Sequence, residues 1–170
     1  MKKHNLIAFG FGIALLATAC KKNDVKETST ESVPAVTATT SSWTALGNWS
    51  KQTEENSAVY SSKVEDKNIT SAIAQGGMVL AFKKNGNDIA ALPVEEKNGT
   101  ASYFWYYQIS EGNIVFNADA DGTASSPSSA NSFKYFIISA DQLKDFEQKG
   151  YSKAELMRLT YENAQALLKS

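Results

Sequence analysis

Residues 100–118 read TASYFWYYQISEGNIVFNA. The stretch divides into a long aromatic run (100–109), a turn at Ser110-Glu111-Gly112-Asn113, and a second apolar run (114–118) that pairs back on the first. Side chains alternate across a strand, so Tyr103, Trp105 and Tyr107 share one face, and Phe104 and Tyr106 share the other. A half-buried strand needs aromatics on one face only. Here both faces carry them, so the second face is either covered by another element or available to a ligand.

The neighbouring sequence extends the β reading. SAVYSSKVE (57–65) partly alternates. GMVLAFKK (77–84) is continuously apolar from Met78 to Phe82, the pattern of a central strand. Asn85-Gly86 is a hairpin signal, and DIAALPV (88–94) follows at hairpin spacing, with Pro93 ending it or marking an edge. KNGT (97–100) is a further turn, and SFKYFIIS (132–139) is the last strong strand. Short strands at roughly ten-residue spacing predict a mainly β protein, a β-sandwich-like fold or open barrel of antiparallel strands.

Helical signals cluster at the C-terminus. Ser139 with Gln142, and Ser152 with Glu155, are capping-box patterns, and Gly150 is a stop between them. Ala154, Met157, Tyr161, Ala164 and Leu168 would fall on one face of a single helix packed on the sheet. Between the first strands, Thr70 can cap one helical turn that Gly76 or Gly77 ends.

The N-terminal region is not part of this fold. Lys2, Lys3 and His4 precede an apolar segment, Leu6–Leu16, of signal-peptide length and too short for a stable membrane span. Ala17-Thr18-Ala19-Cys20 then resembles a bacterial lipobox, with Ala17 where Leu is usual. The resemblance implies cleavage after residue 19, a diacylglyceryl group on Cys20, and an N-linked acyl chain such as palmitate. An ordinary secretory signal with a leftover Cys is the other reading, but the only cysteine stands where a lipobox needs it. Two or three acyl chains give stable anchoring where one gives marginal binding. Residues 20–42 comprise the acylated Cys and a Ser/Thr-rich tether; as a random coil it would span roughly 25 Å. The expected organisation is a signal peptide (1–19), a tether (20–42) and a β-rich domain with C-terminal helices (43–170). Lys21 and Lys22 follow the Cys, and the Asp that retains many lipoproteins at the inner membrane is missing there. By analogy this favours an outer-membrane lipoprotein of the cell envelope.

The order NITSAIAQGGMVLAF (68–82), ALPV (91–94), an aromatic strand, then FKYFIISA (133–140) is similar to a group of small lipoproteins from Bacteroidota. The resemblance covers residues 58–140. Its motifs are turns and strands rather than catalytic groups, so it implies a compact β-rich domain behind a lipid anchor and implies no reaction. The chain departs from that pattern at Ala90-Ala91, where an aromatic is common, and in its longer helical tail.

Composition narrows the chemistry. Loss of Lys2 and Lys3 with the signal leaves 15 basic residues against 18 acidic ones, and Arg158 is the only arginine. No basic patch of a nucleic-acid binder is present, nor a nucleotide-binding glycine fingerprint. His4 is the only histidine, so the mature chain would have neither His nor a free thiol. That excludes Ser-His-Asp and Cys-His catalysis and His- or Cys-ligated metals. A non-enzymatic protein without a cofactor is expected. The remaining enzymatic option is a glycosidase carboxylate pair drawn from Glu95, Glu96, Glu111, Asp119, Asp121 and Asp141. Asn117, Asp119, Asp121 and Gly122 match the start of an EF-hand loop, but Ser128 stands where the bidentate Glu is required. A calcium site built on Asn117, Asp119 and Asp121 therefore competes with a solvated turn, and the rest of that loop, to Ser132, reads as mobile.

Two explanations remain for the second aromatic face. In one, Phe104 and Tyr106 join the core while Tyr103, Trp105 and Tyr107 are covered by the C-terminal helix or by Trp43 and Trp49. In the other, Tyr103, Trp105 and Tyr107 form an exposed platform on which a sugar ring stacks. The amphipathic tail must pack somewhere, which favours the first. The expected function is a membrane-anchored binding module for a glycan or an envelope protein. The alternative is a structural lipoprotein packing on an outer-membrane assembly.

Overall fold

The computed structural model describes residues 38–53, 55–121 and 124–168. Cys20, the signal peptide and the tether as far as residue 37 lie outside the described residues.

The described residues form ten strands and four helices. They are β1 (Thr39–Thr40), β2 (Thr44–Ala45), β3 (Ser50–Thr53), β4 (Ser57–Glu65), α1 (Ser71–Gly76), β5 (Met78–Asn85), β6 (Asp88–Ala91), β7 (Val94–Asn98), β8 (Ala101–Ser110), β9 (Asn113–Asp121), β10 (Asn131–Ile138), α2 (Ala140–Gln148), α3 (Lys153–Leu156) and α4 (Tyr161–Leu168). They build two antiparallel five-stranded sheets. One runs β1-β10-β5-β6, with β2 also paired to β10; the other runs β3-β4-β9-β8-β7. The sheets do not close into a barrel. The sandwich reading therefore holds.

The first sheet is buried on both faces. Val79, Ala81, Phe133, Tyr135 and Ile137 face the second sheet. Met78, Leu80, Phe82, Phe136 and Ile138 face outward and are covered by Leu143, Phe146, Leu156, Ala164 and Leu168 of the helices. This double burial is why 78–82 is apolar without alternation. The second sheet turns only one face to the core, so β4 and β9 alternate.

The boundary at residue 42 is corrected. Thr39 and Thr40 pair with Ile137 and Phe136, and Ala38 is buried against the helices. Short polar residues can add to a sheet edge through backbone bonds alone, which composition does not signal.

The local signals act as read. Thr70 Oγ1 accepts from the Ile73 N–H, and Ser139 and Ser152 each close a full capping box. Gly112, at φ +75°, makes the β8–β9 turn. At Gly77 an added Cβ would lie 2.7 Å from the Ile138 carbonyl oxygen and about 3.0 Å from Ile73 backbone atoms. Gly77→Ala should therefore lower stability by about 1–3 kcal/mol through overpacking at the α1–β5 junction, measured as a shift in the urea midpoint at unchanged slope.

The tail differs from one continuous helix. It breaks after Leu156, and Thr160 restarts it as a cap for the Asn163 N–H. The break places Leu156, Ala164 and Leu168 against the first sheet and leaves Met157 48% exposed.

Candidate functional site

The β8–β9 turn fixes which aromatics go inside. Ser110 faces Asn113, so Tyr107 faces Phe116 and Trp105 faces Ala118. Tyr103, Trp105 and Tyr107 therefore share the face of Ile114, Phe116, Ala118 and Ala120, which is the core face. Trp105 is 1% exposed. Its ring lies 5.9 Å from Trp49, 5.7 Å from Phe133 and 5.7 Å from Tyr103. The Tyr103 hydroxyl donates to the Ser125 carbonyl at 3.0 Å, and the Tyr107 hydroxyl donates to the Val79 carbonyl of the facing sheet. Burial pushes the Tyr107 phenol up to about 12. The Tyr103-Trp105-Tyr107 platform is thus corrected to a core element, covered by the opposing sheet and by Trp49. The C-terminal helices and Trp43 pack on the far side of the other sheet instead.

Phe104 and Tyr106 are the residues that face solvent. The explanation that puts them in the core is corrected. Phe104 is 43% exposed, and its ring stacks on that of Tyr106 at 5.7 Å and 26°. Register places Val59, Asp119, Phe104 and Glu95 in one row across the outer face, with Ser61, Asn117 and Tyr106 in the next. An aromatic pair thus lies among amide, hydroxyl and carboxylate groups.

Asn117, Asp119 and Asp121 sit at alternate positions of β9 on this face. Their spacing along an extended strand is about 7 Å per step, whereas calcium ligands converge to about 2.5 Å from one point. The Asn117 side-chain oxygen already accepts from Ser61 at 2.8 Å, and Asp121 accepts from the Ser102 N–H at 3.1 Å. The loop reading fails because β9 runs on through residue 121. Among the described residues no three His, Cys, Asp or Glu side chains gather to hold a metal ion. Beyond the strand, Ala124 and Pro127 are buried, and the Ala124 carbonyl accepts from the Tyr60 hydroxyl at 3.1 Å.

A second site opens where the edges β6 and β7 approach. Lys83 points from β5 between the sheets and is 5% exposed. Its ammonium donates to Glu96 Oε2 at 2.6 Å and lies 4.8 Å from the Trp105 ring centroid. Asn85 donates to Glu96 Oε1 at 3.3 Å. Burial pushes the Glu96 carboxyl up, but the hydrogen bond and charge of Lys83, with Asn85 and the nearby Trp105 indole, pull it below its ordinary value. Glu96 and Asn85 line two spaces. The outer is a cleft of about 330 Å³ whose walls include Ile89, Ala90, Val94 and Lys97. The inner is a chamber of about 40 Å³ lined by Asn98, Tyr103, Trp105, Ser128 and Asn131. Sequence reasoning took Glu96 as a turn carboxylate and passed over Lys83. A lysine at an inward position of an otherwise apolar strand, just after Phe82, was the available signal.

Among the described residues no helix is long and apolar enough to cross a membrane. No protein-family model matches the chain, and no curated protein or solved structure is similar to it. The sheet order and the covering helices define a two-sheet antiparallel β-sandwich with helices over one sheet.

Proposed function

We propose that this chain is a non-enzymatic, membrane-anchored binding module of the cell envelope, held through lipid on Cys20, whose ligand is a glycan lying across the outer face of the second sheet. The observation that carries the reading is the Phe104–Tyr106 stack, set in the open on a sheet whose other face is fully packed. A pyranose ring has an apolar face that stacks on aromatic rings and a polar rim that takes hydrogen bonds. Asp119 and Glu95 beside Phe104 would be such partners only as acceptors; Gln52 and Gln108, on the same face, also donate.

 The Glu95 carboxylate is the direct cross-strand neighbour of Phe104, so the stack has an acceptor on each side. The absence of His and free thiol from the mature sequence, and a Glu96 held in its ionised form rather than raised as a general acid would be, support a binding role over catalysis.

The test is a glycan array probed with the soluble chain beginning at Lys21, which keeps Ala38–Ser42 in the sheet. Phe104→Ala should abolish a specific signal while changing stability by no more than about 0.5 kcal/mol, as befits an exposed position. A signal that survives the substitution removes the outer face from consideration.

A structural envelope lipoprotein is the second reading. It is favoured by the exposed Met157 of the tail and by a groove that Tyr151, Leu159 and Leu167 line. A blank array, together with a Met157→Glu variant that no longer cofractionates with outer-membrane assemblies, would favour it over glycan binding.

A further inference from the structure

Trp105 and Asn131 line the inner chamber, and among the described residues the buried Trp105 indole Nε1 and Asn131 Oδ1 have no hydrogen-bond partner. Asn131 is 5% exposed, and its amide nitrogen is already committed to the Ser128 carbonyl at 3.1 Å. Trp105 lies near enough to Glu96 to influence its carboxylate, yet the indole N–H does not reach hydrogen-bond geometry. Leaving a donor and an acceptor buried and unpaired is costly, so the pair is a signal of what the chamber is built to hold.

We infer that the β6–β7 cleft is a second binding site, for a neutral hydroxylated ligand of sugar or polyol type, with one hydroxyl group seated in the inner chamber. The chemistry follows from the two atoms. A group that satisfies both must accept from Trp105 and donate to Asn131. A carboxylate only accepts and an ammonium only donates, whereas a hydroxyl does both. The charge at the chamber argues the same way, because Glu96, the carboxylate that lines it, is neutralised by Lys83 at 2.6 Å. The outer cleft, at about 330 Å³, is of the size class of small-molecule sites. Its walls are mixed, with Ile89, Ala90 and Val94 beside Lys83, Asn85 and Glu96, which suits a ring with an apolar face and a polar rim.

The cleft also adjoins the outer face. Strand β7 separates them: Glu95 stands beside Phe104 on the outer face, and Glu96 faces the cleft. A glycan lying on the Phe104–Tyr106 stack could therefore place its end over this edge strand. The inference takes its ligand class from the glycan reading and rests on it in that respect.

The test is a titration of the isotopically labelled soluble chain from Lys21 with glucose, mannose, N-acetylglucosamine and sorbitol at millimolar concentration. The reporter is the Trp105 indole N–H resonance, one of three tryptophan indoles in the chain. A saturable shift of that resonance is expected for at least one of them, with affinity weakened about tenfold or more in Ala90→Trp, which fills the cleft on the face shared with Lys83. Should Ala90→Trp fail to fold, Asn85→Phe tests the same point from an exposed position that lines both spaces. No shift with any of the four, a shift unchanged in the filled variant, or a long-lived water that stays on the indole N–H at saturating sugar would each overturn the inference. Phe104→Ala separates the two sites: it should abolish the array signal and leave the Trp105 shift in place.

Discussion

Trp105→Ala should destabilise the protein by about 4 kcal/mol, enough to consume much of the stability of an ordinary domain. The indole is 1% exposed and touches Trp49, Tyr103 and Phe133, which come from three different strands or loops. Truncation removes the largest side chain of the inter-sheet core and opens a cavity that two hydrogen-bonded sheets cannot easily close over. It also takes away the ring beneath the Lys83 ammonium. Urea denaturation of the purified variant is the measurement, and a loss below about 1 kcal/mol would contradict the packing described. The contrast with Phe104 is the sharper check. The two residues are adjacent in sequence and similar in hydrophobicity, yet one should govern folding and the other should leave it almost unchanged.

Glu96→Ala should cost about 3 kcal/mol, because it strands the buried Lys83 ammonium without a counter-charge. The double variant Lys83→Met with Glu96→Leu should recover most of that loss, since replacing both partners of a buried pair by apolar groups is often neutral or stabilising. Failure of the double variant to recover would mean that Glu96 acts through Asn85 and Trp105 rather than through Lys83. The pH dependence has a fixed sign. The folded-state carboxyl lies below its ordinary value of 4.5. The pair's contribution is therefore complete above the unfolded value and is lost as pH falls through the folded one. The stability gap between the wild-type chain and Glu96→Gln should be constant near neutral pH and close progressively below about pH 4. A gap independent of pH in that range would show that the carboxylate charge does not stabilise the fold.

Part of the misassigned aromatic face was recoverable from the sequence. Alternation alone could not orient β8, because both of its faces are aromatic. The partner strand could. In β9, Ile114, Phe116, Ala118 and Ala120 alternate with Val115, Asn117, Asp119 and Asp121, which marks the core face without ambiguity. A two-residue turn at Glu111-Gly112 then sets Tyr107 opposite Phe116 and carries Trp105 inside with it. The register of one hairpin thus decides which residues can meet a ligand, and a slip of one residue would exchange the faces.

The Lys83–Glu96 cleft could not be reached in that way. The residues of the cleft and its chamber come from β5, β6, β7, β8 and β10, and no spacing in the chain announces that they meet. The three acidic-loop residues show the converse. A pattern of oxygen ligands at alternate positions suits a calcium loop only if the backbone curls, and here β9 keeps Asn117, Asp119 and Asp121 extended.

Local features are legible in the chain alone. Gly112 and Asn85-Gly86 place turns, Thr70, Ser139 and Ser152 start helices through their own hydroxyls, and the unbroken apolar run of β5 marks a strand covered on both faces. These depend on backbone geometry within a few residues and on hydrophobic period. What depends on partners far along the chain needs the folded molecule: that the helices cover the first sheet rather than β8, that Thr39 and Thr40 join that sheet, and that a buried lysine finds its carboxylate across the sandwich. The energy of each of those contacts arises from surfaces removed from water together, and a single strand does not carry the identity of the surface it will meet.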